Sequence, residues 1–147
     1  MPFFDLTGPI IDKAYRGTPI WGTCAGMIML ARELTDDRPE PLNLMNITVR
    51  RNAYGRQIDS FVAPVKCPML GPDNFNGVFI RAPSVTNISE TVEIIGKLDD
   101  GSPVALLENN IMATSFHPEL TNDTRFHELF CKIVESSKIA SQETFPT

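Results

Sequence analysis

A cysteine in a tight turn is the first candidate for chemistry in this sequence. The pentapeptide GTCAG at residues 22–26 follows a short apolar segment and precedes an apolar segment with helical character. Glycines on both sides of Cys24 permit a sharp strand-to-helix turn that lifts the central side chain out of a sheet, as in a nucleophile elbow. At a helix N-terminus, the dipole and free backbone N–H groups are expected to lower the thiol pKa and to bind an oxyanion. A buried small residue in a turn is the alternative for an isolated pattern of this kind.

A histidine and a glutamate two positions apart are the second candidate, in SFHPEL at residues 115–120. A cysteine nucleophile needs a base, and the base needs an acceptor that orients it. In extended backbone His117 and Glu119 point to the same side, so Glu119 can hold one ring nitrogen while the other faces a thiol. Pro118 stiffens the spacing. The alternative is an ordinary surface-loop histidine, and His127 is interpreted as a solvated helix residue.

The bulk composition restricts the classes of function. The chain has 147 residues, enough for one domain with a sizeable core, and a net charge of −5 that provides no basic surface for nucleic acid or an anionic membrane. We find no membrane span and no secretory signal. Three scattered cysteines and two histidines do not form a disulfide framework or a zinc motif, and they fit a reducing compartment, so a cytoplasmic location is expected. Cys67 and Cys131 lack the turn setting and are interpreted as structural.

Alternating helical and strand patterns predict the elements that position these residues. Helices are predicted over residues 6–16, from the Cys24 turn to about Leu34, and over about 123–136. Short strands are predicted at residues 18–21, 46–49, 60–65, 77–80, 92–95, 104–107 and 111–115. The early alternation followed by a strand-rich part favours an α/β sandwich around a mixed sheet. A single domain over residues 1–147 is expected, with a flexible tail from about residue 138.

Four segments in order carry a resemblance to a known family. GTCAGMIMLA from residue 22 and SFHPELTNDTRFH from residue 115 together resemble class I glutamine amidotransferases. VRRNAYGRQIDSF at 49–61 and GVFIRAP at 77–83 narrow the resemblance to the glutaminase subunits of pyridoxal 5′-phosphate synthase. The similarity runs from about residue 6 to residue 135. It implies a flavodoxin-like α/β sandwich around a mixed sheet.

The resemblance also implies roles for matching positions. Cys24 is expected to be the nucleophile, His117 the general base and acid, and Glu119 its orienting partner. The N–H near Ala25 is expected to stabilise the oxyanion. The expected glutamine-binding residues are Arg51, Ile80 and Arg81.

A guanidinium is a good clamp for the carboxylate of glutamine, although Arg51 can also be read as a solvated charge at a strand end. The resemblance implies that no metal or organic cofactor is needed. It also implies that ammonia released from L-glutamine passes to a barrel-shaped synthase subunit in vitamin B6 biosynthesis.

One departure from the family pattern affects these expectations. Family members carry strands, a helix and a glycine-rich loop ahead of the segment that matches residues 6–16, and this sequence lacks them. We therefore expect an N-terminally truncated domain that lacks part of the oxyanion hole, whose loss typically costs about 10²–10³ in rate. The alternatives are a catalytically impaired interaction subunit of the same complex, and a γ-glutamyl hydrolase of similar architecture.

Overall fold

The computed structural model describes residues 7–35, 40–51 and 60–144. Within these residues the helices are α1 (Thr7–Tyr15), α2 (Ala25–Leu30) and α3 (Arg125–Thr144). The strands are β1 (Ile20–Thr23), β2 (Ala31–Leu34), β3 (Met45–Arg50), β4 (Ser60–Val65), β5 (Phe75–Ile80), β6 (Ser84–Ile88), β7 (Glu93–Lys97), β8 (Pro103–Glu108) and β9 (Ile111–Thr114). Short 3₁₀ turns cover Pro68–Leu70 and Pro118–Leu120.

The described strands form three small sheets. The largest has the order β1-β9-β8-β7, with β1 parallel to β9 and the other two pairings antiparallel. A second sheet has the order β2-β3-β6, with a parallel and an antiparallel pair, and β4 pairs with β5 as a hairpin. Because β1 and β9 are parallel and in register from Ile20 to Thr23, the segments that follow them emerge at the same edge of the sheet.

The four-stranded sheet separates two apolar clusters. Successive residues of β9 point to opposite faces, so that Met112 belongs to one cluster while Ile111 and Ala113 belong to the other. The first cluster contains the aromatic side chains of Phe75, Phe79, Phe116 and Phe126, and the second contains apolar residues of α2, β2 and β3. Burial on both faces fixes the register of β9, and with it the position of the residues that follow.

A buried carboxylate connects the large sheet to the second sheet. Glu108 of β8 is 7% exposed and accepts hydrogen bonds from the backbone N–H of Asn46 at 2.9 Å and from its Nδ2 at 2.8 Å. Thr91 Oγ1 donates to the same carboxylate at 2.5 Å. Burial alone favours the neutral acid, but these hydrogen bonds outweigh it and hold the pKa of Glu108 below its ordinary value.

The sequence predicted most of these elements, with three differences. The α2 helix ends at Leu30, and residues predicted to continue it form β2. Their backbone pairs with β3, and the carbonyls of residues 29–31 accept hydrogen bonds from the backbone N–H groups of residues 42–44. The strand β6 was not predicted, since most of its side chains are partly or fully exposed and lack an apolar run. Helix α3 extends to Thr144 and includes most of the predicted tail. Residues 52–59, which carry part of the family resemblance, lie outside the described residues.

Candidate active site

The turn that carries Cys24 has the strained geometry expected of a nucleophile elbow. Cys24 lies between β1 and α2 with φ 52° and ψ −106°, a conformation that non-glycine residues rarely adopt. The turn is tight because Gly22 packs directly on the first turn of α2. A Cβ at Gly22 would lie 2.6 Å from both the carbonyl carbon and oxygen of Gly26, and 2.7 Å from Leu30 Cδ1. Glycine at position 22 is therefore required by close backbone approach.

Hydrogen bonds fix both the backbone and the thiol of Cys24. Its N–H donates to the carbonyl of Thr114 at 2.8 Å, which ties the turn to the end of β9. Its Sγ lies 3.5 Å from the carbonyl oxygen of Ile80, the last residue of β5, and donates to it. The first intrahelical bond is donated by Met27 to the Cys24 carbonyl, so the N–H of Ala25 precedes the helical ladder. Ala25 is thus placed where the sequence predicted an oxyanion donor.

The pKa of the Cys24 thiol is raised, whereas the sequence predicted that it would be lowered. Burial raises the pKa of the Cys24 thiol, the N–H of Ala25 acts in the opposite direction, and the charge of Glu119 raises the pKa further. The expectation of a lowered pKa is wrong because desolvation of the partly buried thiol outweighs the hydrogen bond from the Ala25 N–H. The resting thiol is therefore protonated at neutral pH and needs a base.

Buried neighbours anchor His117 after β9. Phe116 is fully buried and packs on Phe75, Phe79 and Phe126 at ring-centroid distances of 5.5, 5.5 and 5.2 Å. Pro118 on the other side of His117 is also buried. The His117 N–H donates to the carbonyl of Val78 at 2.8 Å. The imidazole therefore projects from a backbone that is held on both sides.

The imidazole of His117 is oriented by Glu119, as predicted. Nδ1 of His117 lies 2.7 Å from Oε2 of Glu119. Partial burial of Glu119 favours the neutral acid, but the hydrogen bond from His117, with the charges of His117 and His127, holds its pKa below the ordinary value. An ionised carboxylate can only accept, so Nδ1 carries the proton and Nε2 is the nitrogen available to a substrate or thiol.

Strand β5 brings the two halves of the site to one place. The carbonyls of Val78 and Ile80 lie on the same edge of the strand, two residues apart, and they bind the His117 N–H and the Cys24 thiol respectively. The charge of Glu119 also acts on Cys24. Cys24, His117 and Glu119 thus converge at the edge where β1 and β9 end.

The predicted glutamine-binding residues lie at the ends of two strands. The carbonyl of Ile80 contacts the thiol, and Arg81 follows directly, exposed and with φ 44°. Arg51 follows the last residue of β3 and is partly buried. The structure therefore places Ile80 beside Cys24 and Arg81 next to Ile80 in the chain, while glutamine binding by any of the three residues stays a prediction.

Three residues of the site were not predicted from the sequence. Thr114 accepts the Cys24 N–H, and its hydroxyl accepts a hydrogen bond from Trp21 Nε1 at 3.2 Å. Trp21 in turn contacts the imidazole of His127 on α3 at 5.1 Å between ring centroids. The available signal was that Trp21 is the single tryptophan and His127 one of two histidines.

In the described part of the chain, we find no group of three His, Cys, Asp or Glu side chains that could hold a metal ion. None of the described helices combines the length and the apolar character needed to cross a bilayer.

Comparison with known proteins identifies close relatives of the chain. The model of the SNO glutamine amidotransferase family matches residues 3–136. A protein named pyridoxal 5′-phosphate synthase subunit PdxT from Herpetosiphon aurantiacus is 55% identical over 130 residues, which are 86% of this chain and 68% of that protein. A protein of the same name from Dehalococcoides mccartyi is 53% identical over 137 residues, 92% of this chain and 70% of its own length.

Solved structures agree with the described fold. A crystal structure of a glutamine amidotransferase superposes with a TM-score of 0.82 and 36% identity, covering 88% of this chain and 68% of that chain. A putative GMP synthase subunit from Thermoplasma acidophilum superposes with a TM-score of 0.65 at 16% identity, covering 94% of this chain and 68% of that chain, which supports the fold alone. The α/β fold with mixed sheets, predicted from the resemblance, is thereby confirmed.

Proposed function

Because the chain belongs to the SNO glutamine amidotransferase family, we propose that it is the glutaminase subunit of a pyridoxal 5′-phosphate synthase. In this role it hydrolyses L-glutamine to glutamate and ammonia in the cytoplasm and passes ammonia to the synthase subunit for vitamin B6 biosynthesis. The observation that carries the proposal is the convergence of Cys24, His117 and Glu119 at one sheet edge, held by two carbonyls of β5.

The first half of the reaction follows from the hydrogen bonds of the site. Nε2 of His117 accepts the thiol proton, because Nδ1 is held by Glu119. The Cys24 sulfur then leaves the Ile80 carbonyl and attacks the side-chain amide carbon of glutamine, and the N–H of Ala25 donates to the oxyanion. The imidazolium returns its proton to the leaving ammonia.

The second half releases glutamate. Water enters in place of ammonia, His117 removes its proton, and the resulting attack breaks the glutamyl thioester to regenerate the thiol. Glu119 stays ionised throughout and stabilises each imidazolium that forms. Arg51, Ile80 and Arg81 are the groups we assign to binding the α-carboxylate and backbone end of glutamine, for which a guanidinium is well suited.

Ammonia release from glutamine in the presence of the synthase subunit tests the proposal. We expect glutamate and ammonia in equal amounts, and no release with Cys24→Ala. Cys131→Ala is the matched control, since Cys131 is an exposed residue of α3 and its loss should leave turnover unchanged.

Three outcomes would contradict the proposal. Binding to the synthase subunit without ammonia release would favour the interaction subunit that has lost turnover. Cleavage of γ-glutamyl peptides without cleavage of glutamine would favour the hydrolase. Release that persists in Cys24→Ala would exclude the proposed nucleophile.

A further inference from the structure

A single buried threonine contacts both halves of the site. Thr114 is the last residue of β9 and lies opposite Thr23 in the parallel pair of β1 and β9. Its carbonyl accepts the N–H of Cys24 at 2.8 Å, so its backbone holds the turn of the nucleophile. Its hydroxyl makes two further hydrogen bonds, one to β1 and one to the segment that leads to His117.

The two hydrogen bonds of the Thr114 hydroxyl have a fixed direction. Nε1 of Trp21 lies 3.2 Å from Thr114 Oγ1, and the carbonyl oxygen of Phe116 lies 3.4 Å from the same atom. Because an indole N–H can only donate and a carbonyl can only accept, the hydroxyl accepts from Trp21 and donates its single proton to Phe116. The three groups therefore form one chain of hydrogen bonds, in which each bond strengthens the next.

The peptide unit between Phe116 and His117 is held at both of its polar groups. It lies beyond the end of β9, and Phe116 is fully buried, so its carbonyl needs a partner from outside the strand pairing. The Thr114 hydroxyl is that partner, while the N–H of the same peptide unit donates to Val78 at 2.8 Å. Since a peptide unit is planar, these two bonds together fix the direction in which the chain enters His117.

We propose that Thr114 is a positioning residue of the site: through its carbonyl and its hydroxyl together, it fixes the backbone of Cys24 and the peptide that precedes His117 relative to each other. This role rests on the proposed glutaminase activity, whereas the restraint on the two backbone segments does not require turnover. Thr114 takes no part in making or breaking bonds and acts through the backbone of the nucleophile and of the base.

The neighbouring serine offers a matched control. Ser115 is 1% exposed, and its Oγ is buried without a hydrogen-bond partner in the described part of the chain. Ser115→Ala therefore removes a buried hydroxyl from the same segment without removing a hydrogen bond. We expect it to leave both the backbone of the site and its turnover unchanged.

Amide hydrogen exchange of the whole chain, resolved by NMR, tests the proposal without requiring activity. Thr114→Val removes the hydroxyl but keeps a β-branched side chain, whereas Thr114→Ser keeps the hydroxyl. We expect the N–H groups of Cys24 and His117 to exchange about tenfold faster in T114V than in the wild type, as for the loss of one hydrogen bond. T114S should restore most of the protection, and amides of β3, in the second sheet, should change far less.

A second variant tests the same hydrogen bonds from the side of β1. Trp21→Phe keeps an aromatic ring but removes the Nε1–H that donates to Thr114. It should accelerate exchange of the same two amides by a smaller factor than T114V does. If T114V does not fold, W21F decides the question, and unchanged exchange of both amides in W21F then overturns the proposal.

Steady-state kinetics with the synthase subunit give a separate readout. In T114V we expect kcat to fall by about ten- to a hundredfold with little change in KM, because the reacting groups are displaced while no contact with glutamine is lost. T114S should recover most of kcat, and S115A should match the wild type.

Three results would overturn the positioning role. They are unchanged exchange of the Cys24 and His117 amides in T114V, an equal acceleration in β3, and a T114S variant no better than T114V. The equal acceleration would mean a general loss of stability. If the two amides respond as expected while the wild type releases no ammonia, the proposed function fails and the restraint by Thr114 stands.

Discussion

The two glycines that flank Cys24 should respond very differently to the same substitution. In Gly22→Ala the new methyl group would lie 2.6 Å from backbone atoms of Gly26, about 1 Å inside an ordinary carbon contact. Backbone atoms cannot rotate away as a side chain does, so we expect a cost at the upper end of the usual range for overpacking, about 3 kcal/mol. In Gly26→Ala nothing lies within 4 Å of the added Cβ. Alanine then favours α2, and we expect a change between zero and about 1 kcal/mol of added stability.

Urea unfolding followed by fluorescence measures both effects, because Trp21 is the single tryptophan and precedes Gly22. We expect a lower midpoint with an unchanged slope for G22A, and a fall in Tm of about 6–12 °C for a chain of this size. Glutaminase activity of G22A should also fall, since any relaxation moves Cys24 between the two glycines. Equal stabilities of G22A and G26A would refute the close approach of β1 and α2.

Two further predictions concern Glu108 and the three cysteines. Glu108→Gln should lower the unfolding free energy by about 1.5–3 kcal/mol at neutral pH, as for hydrogen bonds to a charged group. Since the folded pKa of Glu108 is depressed, this contribution is present above the unfolded pKa of about 4.3 and is lost as the pH falls through the folded pKa. The difference in unfolding free energy between E108Q and the wild type should therefore shrink in acid. The exposed control Glu93→Gln should leave the unfolding free energy unchanged. In iodoacetamide labelling of the folded chain, the exposed Cys131 should react first. Cys24 should react more slowly because the pKa of its thiol is raised. Cys67 is 4% exposed and should react only when the chain unfolds. Rapid neutral-pH labelling of Cys24 would contradict the raised pKa.

The candidate reacting groups could be predicted from the sequence because their local patterns are strong. The glycines around Cys24 and the two-residue spacing of His117 and Glu119 involve only residues that are close in sequence. The structure shows the tight turn at Cys24 and the contact between His117 and Glu119. The strand β4 was predicted with its observed bounds, because turn residues flank it and its pattern is strongly β. Family membership followed from four segments taken together.

Features that depend on contacts between residues far apart in the sequence could not be predicted in the same way. The segment Ala31–Leu34 consists of residues that form helices well, yet pairing with β3 makes it a strand. The pKa of Cys24 depends on how deeply the thiol is buried and on a carboxylate that lies far along the chain. The contacts of Trp21 and His127 likewise appear only when β1 and α3 have packed together.

The parallel pairing of β1 with β9 also determines when this chain acquires a competent site. The hydrogen bond from Trp21 to Thr114 spans 93 residues, and the N–H of Cys24 is held by the same threonine. Contacts between such distant segments form slowly, and during synthesis they must wait until the late part of the chain has emerged. A nascent or prematurely ended polypeptide would carry the thiol but neither its base nor the carboxylate behind that base. We therefore expect ammonia release only after the segment from Thr114 to Glu119 has been synthesised and has folded against β1.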